Sequence, residues 1–353
     1  MLDIPALRAA LLAWYDAQAR DLPWRTGPAA GKAGQRSDPY RVWLSEVMLQ
    51  QTTVPHATPY FLSFTRRWPT VSDLAAVEDG ELMAAWAGLG YYARARNLLA
   101  CARAVAADHG GVFPDTEEGL RALPGVGAYT AAAVAAIAFD REANVVDGNV
   151  ERVMARLFAV EEPVPDVKPE LKRLAGQLVT NERPGDWAQA LMDLGATVCR
   201  PKGPLCDCCP ISAWCEGLKT GAPETYPRKT RKADRPRRHG VAYVLTRGDA
   251  VALVRRPPKG LLGGMLGLPT SDWRDRPWTD VEAAEAAPSS GVWRDVGVVE
   301  HVFTHFALTL WVLRAESNGA ELVEGDVVWT PREGLSALPS VFLKAARAAD
   351  RLL

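Results

Sequence analysis

The chain has 353 residues, 48% of them hydrophobic and 24% charged, with a formal net charge of −1. That length points to two domains and that composition to an ordinary soluble globular protein, and the near-zero charge excludes a global field drawing it to nucleic acid, so any such attraction must be local. Five of the six cysteines fall in one short stretch and Cys101 stands alone, which excludes a disulfide framework and points to a reducing compartment.

The first 21 residues are amphipathic (Leu7, Leu11, Leu12, Trp14, Tyr15) and carry Asp3. They lack the basic start and long apolar run of a signal peptide, and no later segment approaches a membrane span, so the expected location is the cytoplasm. From the N-terminus to about Cys215, apolar residues recur at threes and fours with abundant alanine, which predicts a helical region interrupted by a Gly- and Ala-rich loop over 26–37. In the run Trp43 to Thr52, Glu46 shares a helix face with Val42 and Leu49. A carboxyl buried there costs several kcal/mol unless it keeps its proton or finds partners, and one kept protonated is a good general acid; a boundary glutamate paired with an arginine is the plainer alternative.

Leu89 to Leu98 interleaves Tyr91 and Tyr92 with Arg94 and Arg96, a pattern that suits base wedging and phosphate contact but equally a core face beside a solvated one. Next comes Leu123-Pro124-Gly125-Val126-Gly127, between a predicted helix over 116–122 and an alanine-rich one over 128–139. Two glycines permit a tight turn, and the free N–H groups of the second helix can hold a phosphate, as in a helix-hairpin-helix; an ordinary helical corner is the alternative. In Asn144 to Val150, Asp147 and Asn149 stand where they could cap a helix over 150–158. Paired with Glu46, Asp147 gives two carboxylates of the kind that suit cleavage of a glycosidic bond; a plain helix cap is the commoner fate of such a residue.

Cys199, Cys206, Cys209 and Cys215 follow in the order C-x6-C-x2-C-x5-C, with Cys208 as an extra thiol beside them. Four thiolates without a nearby histidine suit an iron–sulfur cluster or a zinc site, and the intervals of six and five favour the larger [4Fe–4S] body. Arg200 and Lys202 lie in the first interval, where a rigid loop could aim them at phosphates. Residues 218–239 hold three prolines and a basic run and are read as a linker. Beyond them, β-rich runs over 241–246, 250–254, 298–303 and 307–313, with helical stretches near 279–287 and 338–352, predict a smaller α+β domain over 240–353.

Together with Leu22-Pro23-Trp24-Arg25 and Asp38-Pro39-Tyr40, these motifs in this order strongly resemble the MutY-type adenine DNA glycosylases of the endonuclease III superfamily. The resemblance covers nearly the whole chain. It implies a mostly α helix-hairpin-helix glycosylase region over 1–217, with a six-helix barrel lobe and an iron–sulfur lobe, followed by a Nudix-like lesion-recognition domain. It implies excision of adenine opposite 8-oxoguanine or guanine in duplex DNA by a monomer. Glu46 would protonate the adenine at N7 and later act on water, Asp147 would stabilise or capture the sugar cation, and Asn149 and Tyr129 would support that site by hydrogen bonding. Gln51 and Tyr91 would fill or wedge the base stack, and the hairpin Leu123, Gly125, Val126 and Gly127 would grip backbone. Strand-cutting relatives carry a lysine at the position of Tyr129; a phenol cannot form a Schiff base, so the resemblance implies a monofunctional enzyme that leaves an abasic site. Phe303-Thr304-His305 matches the family's F-S-H lesion-reading loop with Thr for Ser. No R-E-x-x-E-E pattern follows in 271–288, so nucleotide hydrolysis is not expected. The alternatives are a thymine or uracil mismatch glycosylase sharing the helical core, and a non-catalytic iron–sulfur protein that binds DNA or senses redox state.

Overall fold

The computed structural model describes residues 2–230, 235–257, 260–303, 305–317 and 327–350. The chain divides into two compact units, 1–231 and 232–353. No helix among the described residues is long and apolar enough to cross a membrane.

The first unit is helical and holds two cores. One is built on Trp43, Phe61, Phe64, Trp86 and the alanines of helix Ala128–Phe139. The other is built on Leu7, Leu11 and Tyr15 with Val150, Met154, Leu171, Trp187 and Leu194. Helix Pro39–Leu49 starts where Asp38 accepts the Tyr40 N–H and Pro39 sits in the first turn, a preorganised start that fixes which face turns inward. Helix Ala128–Phe139 is buried on nearly every face, because alanine lets neighbours approach closely. Helix Pro184–Asp193 does so at Gly185: an added Cβ would lie 2.7 Å from the Ala136 carbonyl oxygen. That approach delivers Gln189, Met192 and Asp193 to the seam of the two cores. The loop expected over 26–37 contains a short helix, Pro28–Lys32.

The basic stretch read as a linker over 218–239 is not a free tether. Tyr226 is buried in the second core, Val164 donates its N–H to the Arg228 carbonyl, and Arg228 pairs with Glu161. Residues 218–230 therefore pack on the helical unit, and Arg237 already opens a strand.

The second unit is a mixed sheet of β1 (Arg237–Arg247), β2 (Ala250–Arg255), β3 (Leu266–Gly267), β4 (Arg294–Val302), β5 (Ala307–Glu316) and β6 (Val327–Pro331). The order is β3-β2-β1-β5-β4, with β6 also on β2; β1 and β5 run parallel and the other pairs antiparallel. Helix Ser340–Asp350 covers one face through Val341, Phe342, Ala345 and Ala346 against Leu308, Leu310 and Val312. β3 and β6 escaped the sequence reading because two and five residues give too little alternation to detect.

Gly185→Ala should destabilise the helical unit by about 1–3 kcal/mol through overpacking against rigid backbone. Gly80→Ala, with open space around its Cβ, should be neutral or stabilising. Thermal denaturation of the two variants checks the ordering.

Candidate active site

Glu46 is buried on helix Pro39–Leu49 at the seam of the two cores. The Tyr129 hydroxyl, from the first turn of helix Ala128–Phe139, donates to its Oε2 at 2.8 Å. Burial pushes the Glu46 carboxyl up to about 7; the Tyr129 hydrogen bond opposes this, nearby Asp147 adds to it, and Arg25 pulls it down. Burial and then the charges of Glu46 and Asp147 raise the Tyr129 phenol well above its usual range, so it remains a hydrogen donor.

Asp147 caps helix Gly148–Leu157, as a cap reading of its motif requires, but its position serves more than the helix. Its Oδ1 accepts the Val150 N–H at 2.7 Å and its Oδ2 accepts the Asn149 amide at 2.7 Å. Asn149 in turn accepts from Arg152 at 3.0 Å, and Arg152 also donates to the Gly195 and Cys199 carbonyls at 2.7 and 2.8 Å. Glu46, Tyr129, Asp147, Asn149 and Gln51 all line one cavity of about 670 Å³. The two carboxyl groups thus face a common space large enough for a nucleobase and its sugar.

Two residues at this site were not given a role by sequence reasoning: Gln189, which lines the cavity, and Asp193, which holds the lining residues Arg20 and Arg25. Asp193 is fully buried and takes both arms of Arg25 at 2.7 and 2.8 Å and Arg20 at 2.6 Å. Burial alone would raise its carboxyl, but the Arg25 bonds and charge, with Arg20, bring it below its ordinary range. Gln189 is buried and donates its Nε2 to Gly185 at 3.2 Å, while its Oε1 has no hydrogen-bond partner among the described residues. No local signal marks Asp193, because its partners Arg20 and Arg25 lie in a distant segment.

The hairpin is formed as expected. Gly125 has φ +71, and a Cβ there would strike Asn97 at 2.5 Å. Gly127 precedes a 12-residue helix whose start has no side-chain cap, and it opens on free space. The side chains of Leu123 and Val126 are core, so these two residues can offer a ligand only their backbone. Gln51 and Tyr91 are exposed at neighbouring loop tips with φ of +60 and +51. Arg94, read as a phosphate contact or a solvated face, instead turns inward onto backbone carbonyls.

Cys199, Cys206, Cys209 and Cys215 line one small apolar cavity of about 30 Å³, whereas Cys208 is exposed and bonded to the Leu205 carbonyl at 3.3 Å. No three described His, Cys, Asp or Glu side chains converge tightly enough to hold a single metal ion. Buried Arg156 fastens the loop by donating to the carbonyls of Cys199, Arg200, Pro201 and Tyr226 and to the Cys199 sulfur. Arg200 and Lys202 are exposed, the former bonded to the Gly203 carbonyl at 2.7 Å. In the second unit, Phe303 stacks on Trp273 with ring centroids 5.6 Å apart, while His305 is exposed. Thr304 lies outside the described residues.

Residues 44–177 match the family model of HhH-GPD superfamily base excision DNA repair proteins, and residues 240–347 match the NUDIX domain model. The adenine DNA glycosylase of Homo sapiens is 37% identical over 366 residues, covering 88% of this chain and 67% of that one. That of Mycobacterium tuberculosis is 39% identical over 238 residues, covering 67% of this chain and 73% of its own. A thermostable thymine-DNA glycosylase structure aligns with TM-score 0.54 at 30% identity over 62% of this chain and 97% of that one. A trapped endonuclease III–DNA intermediate aligns at TM-score 0.50 and 24% identity over 63% of this chain and 99% of that one, a likeness of fold alone.

Tyr129→Phe removes a hydrogen bond that favours the ionised form of Glu46. The Glu46 carboxyl should then titrate above its present value of about 7. Carbon-detected NMR titration of the carboxyl, wild type against variant, reads the direction; a downward shift contradicts the assignment.

Proposed function

The chain belongs to the adenine DNA glycosylase family, and from that premise we propose that it hydrolyses the N-glycosidic bond of an adenine extruded from duplex DNA. One observation carries the reading: proton-retaining Glu46 and hydrogen-bonded Asp147 line the same cavity. Glu46 donates its proton to N7 of the purine, turning the base into a neutral leaving group as the bond to the sugar breaks. The positive charge passes to an oxocarbenium-like sugar facing Asp147, whose oxygens the Val150 and Asn149 donors hold in place. Glu46, now ionised, accepts a proton from the water that attacks the sugar. Gln189 supports the choice of base. Its Nε2 is committed to Gly185, so the free Oε1 can accept from an exocyclic amine. Adenine offers that amine, whereas guanine sets a carbonyl oxygen at the same ring position and would leave two acceptors opposed.

No lysine is among the described residues lining the cavity, so no Schiff base forms and the product is an intact strand with an abasic site. The preferred substrate is adenine opposite 8-oxoguanine or guanine, because a mispaired base is the least costly to unstack. The second unit, through Phe303 and His305, reads the opposite base. The uncapped helix after Gly127 holds phosphate, and the protein acts as a cytoplasmic monomer. Cys199, Cys206, Cys209 and Cys215 would hold a [4Fe–4S] cluster, since four sulfurs around one apolar cavity suit a multi-atom body. When bound, the cluster supplies a rigid anchor for the loop that presents Arg200 and Lys202.

Single-turnover assays on duplexes with A opposite 8-oxoguanine, A opposite G and T opposite G test the reading. Adenine should be released from the first two without strand cleavage, with the rate falling as pH rises through about 7, because Glu46 loses its proton there. Glu46→Gln should lower the rate by at least ~100-fold while binding persists. Release of thymine without adenine would move the chain to the mismatch thymine glycosylases. Cys209→Ser should lower bound iron and sulfide below that of the wild type, whereas Cys208→Ser, off the cavity, should not; iron and sulfide analysis distinguishes them.

A further inference from the structure

We propose that Arg94 is a positioning residue that fastens the Gln51 and Tyr91 loop tips into one rigid wedge, so that extrusion of the target base depends on it. Helix Pro39–Leu49 ends just before Gln51, where its last carbonyls run out of i+4 helical donors and that of Val47 keeps only a long bond from the Gln50 N–H. Arg94 supplies donors to them from another helix: Nη1 bonds the carbonyls of Val47 at 3.0 Å and Met48 at 3.1 Å, and that of Gln50. Its other arm, Nη2, reaches the Leu89 and Gly90 carbonyls at 3.3 and 3.4 Å, immediately before Tyr91. The same guanidinium lies over the rings of Trp86 and Tyr91, at 5.5 and 5.4 Å. One planar fork therefore holds the backbone just before each of the two tips.

The position of Arg94 has no simpler electrostatic reason. It sits in the first turn of its own helix, Tyr92–Asp108, where the helix field disfavours a cation. What it holds is unusual. Gln51 and Tyr91 both have positive φ, a conformation that residues with a Cβ adopt only where the surroundings enforce it. Both are exposed, Tyr91 at 53% despite its large ring, and Gln51 opens onto the cavity that Glu46 and Asp147 line. An exposed aromatic and an exposed amide, each on a backbone held by the same guanidinium, suit insertion into a base stack, where Tyr91 separates bases and Gln51 occupies space the target leaves. A lysine could not replace the fork, because a single ammonium cannot span two loops.

The inference rests on the proposed base excision, and the test separates the two. Full-length wild type, Arg94→Met and Arg94→Lys are bound to duplexes with 2-aminopurine at the target position opposite 8-oxoguanine, a base that brightens on unstacking. Wild type should brighten the duplex; Arg94→Met should bind with little change in affinity but leave it dark, and Arg94→Lys should recover only a small part. Single-turnover adenine release in Arg94→Met should fall about 10²-fold on a paired mismatch, the scale of loss from slight misplacement. It should fall much less on adenine in a bulge, already unstacked. Unchanged brightening in Arg94→Met, full recovery in Arg94→Lys, or equal losses on paired and bulged substrates would overturn the proposal. So would a wild-type complex that stays dark. If Arg94→Met does not fold by thermal denaturation, Arg94→Lys carries the comparison. A wild type that brightens the duplex yet releases no adenine refutes the excision reading and leaves the fluorescence result for Arg94 standing.

Discussion

The arrangement depends on keeping an arginine near Glu46 from neutralising it. A buried carboxyl keeps its proton only if no cation pairs with it directly. Arg25 lies close enough to pull the Glu46 carboxyl down, yet both of its terminal nitrogens are committed to Asp193. Asp193, fully buried, occupies Arg25 and Arg20 together and leaves Glu46 with a neutral phenol as its hydrogen-bond partner. Removing Asp193 would leave two cations in the cavity wall searching for an acceptor, and Glu46 is one within reach. The ion pair of Arg25 with Asp193 is thus as much a condition of a proton-retaining Glu46 as the burial of Glu46 itself.

The same seam explains why the site draws on four helices. Glu46 and Tyr129 come from the core around Trp43 and the alanine helix, while Asp147 and Asn149 come from the start of a helix whose buried face belongs to the other core. Gln189, Met192 and Asp193 arrive on the helix that crosses the alanine helix at Gly185. A cavity lined by well-packed cores has walls that hold their rotamers, which hydrogen bonds of 2.7–2.8 Å to Asp147 and Glu46 require. The network continues outward from Asn149 through Arg152 to the Cys199 carbonyl, so the cysteine loop and the Asp147 cap share one set of donors.

Features that depend on neighbours in sequence were legible before the fold was known. The Asp147 cap, the Gly125 turn and the inward face of Glu46 are each set by near neighbours, the range over which helix and turn chemistry acts, and the cysteines follow one another at short intervals between Cys199 and Cys215. Features set by distant partners were not. Asp193 meets Arg25 across 168 residues, and Arg94 meets Val47 across 47, and in each case the residue type alone suggests only a solvated charge. The basic stretch before the second unit misled for the same reason: prolines and arginines describe a tether equally well as a strap, and only the burial of Tyr226 and the Glu161 pair decide between them.

The second unit, which matches the NUDIX domain model, spends its acidic helix residue on local structure. Glu282 on its short helix is consumed locally: it completes a capping box with Thr279 and pairs with Arg274 and Arg276. The Arg274 bond, then that of Arg276, hold its carboxyl well below the usual range, and a carboxylate so engaged is a poor ligand for Mg²⁺. The ordered feature lies instead at the β4–β5 turn. Phe303 donates its N–H to the Phe306 carbonyl at 2.9 Å, both rings pack on Trp273, and Arg256 lies over the far side of that cluster. The aromatic anchor fixes the base of the turn and leaves His305 exposed at its tip. An exposed, donor-capable His305 beside this aromatic anchor suits contact with the edge of a base, which is the task the excision reading assigns to this unit.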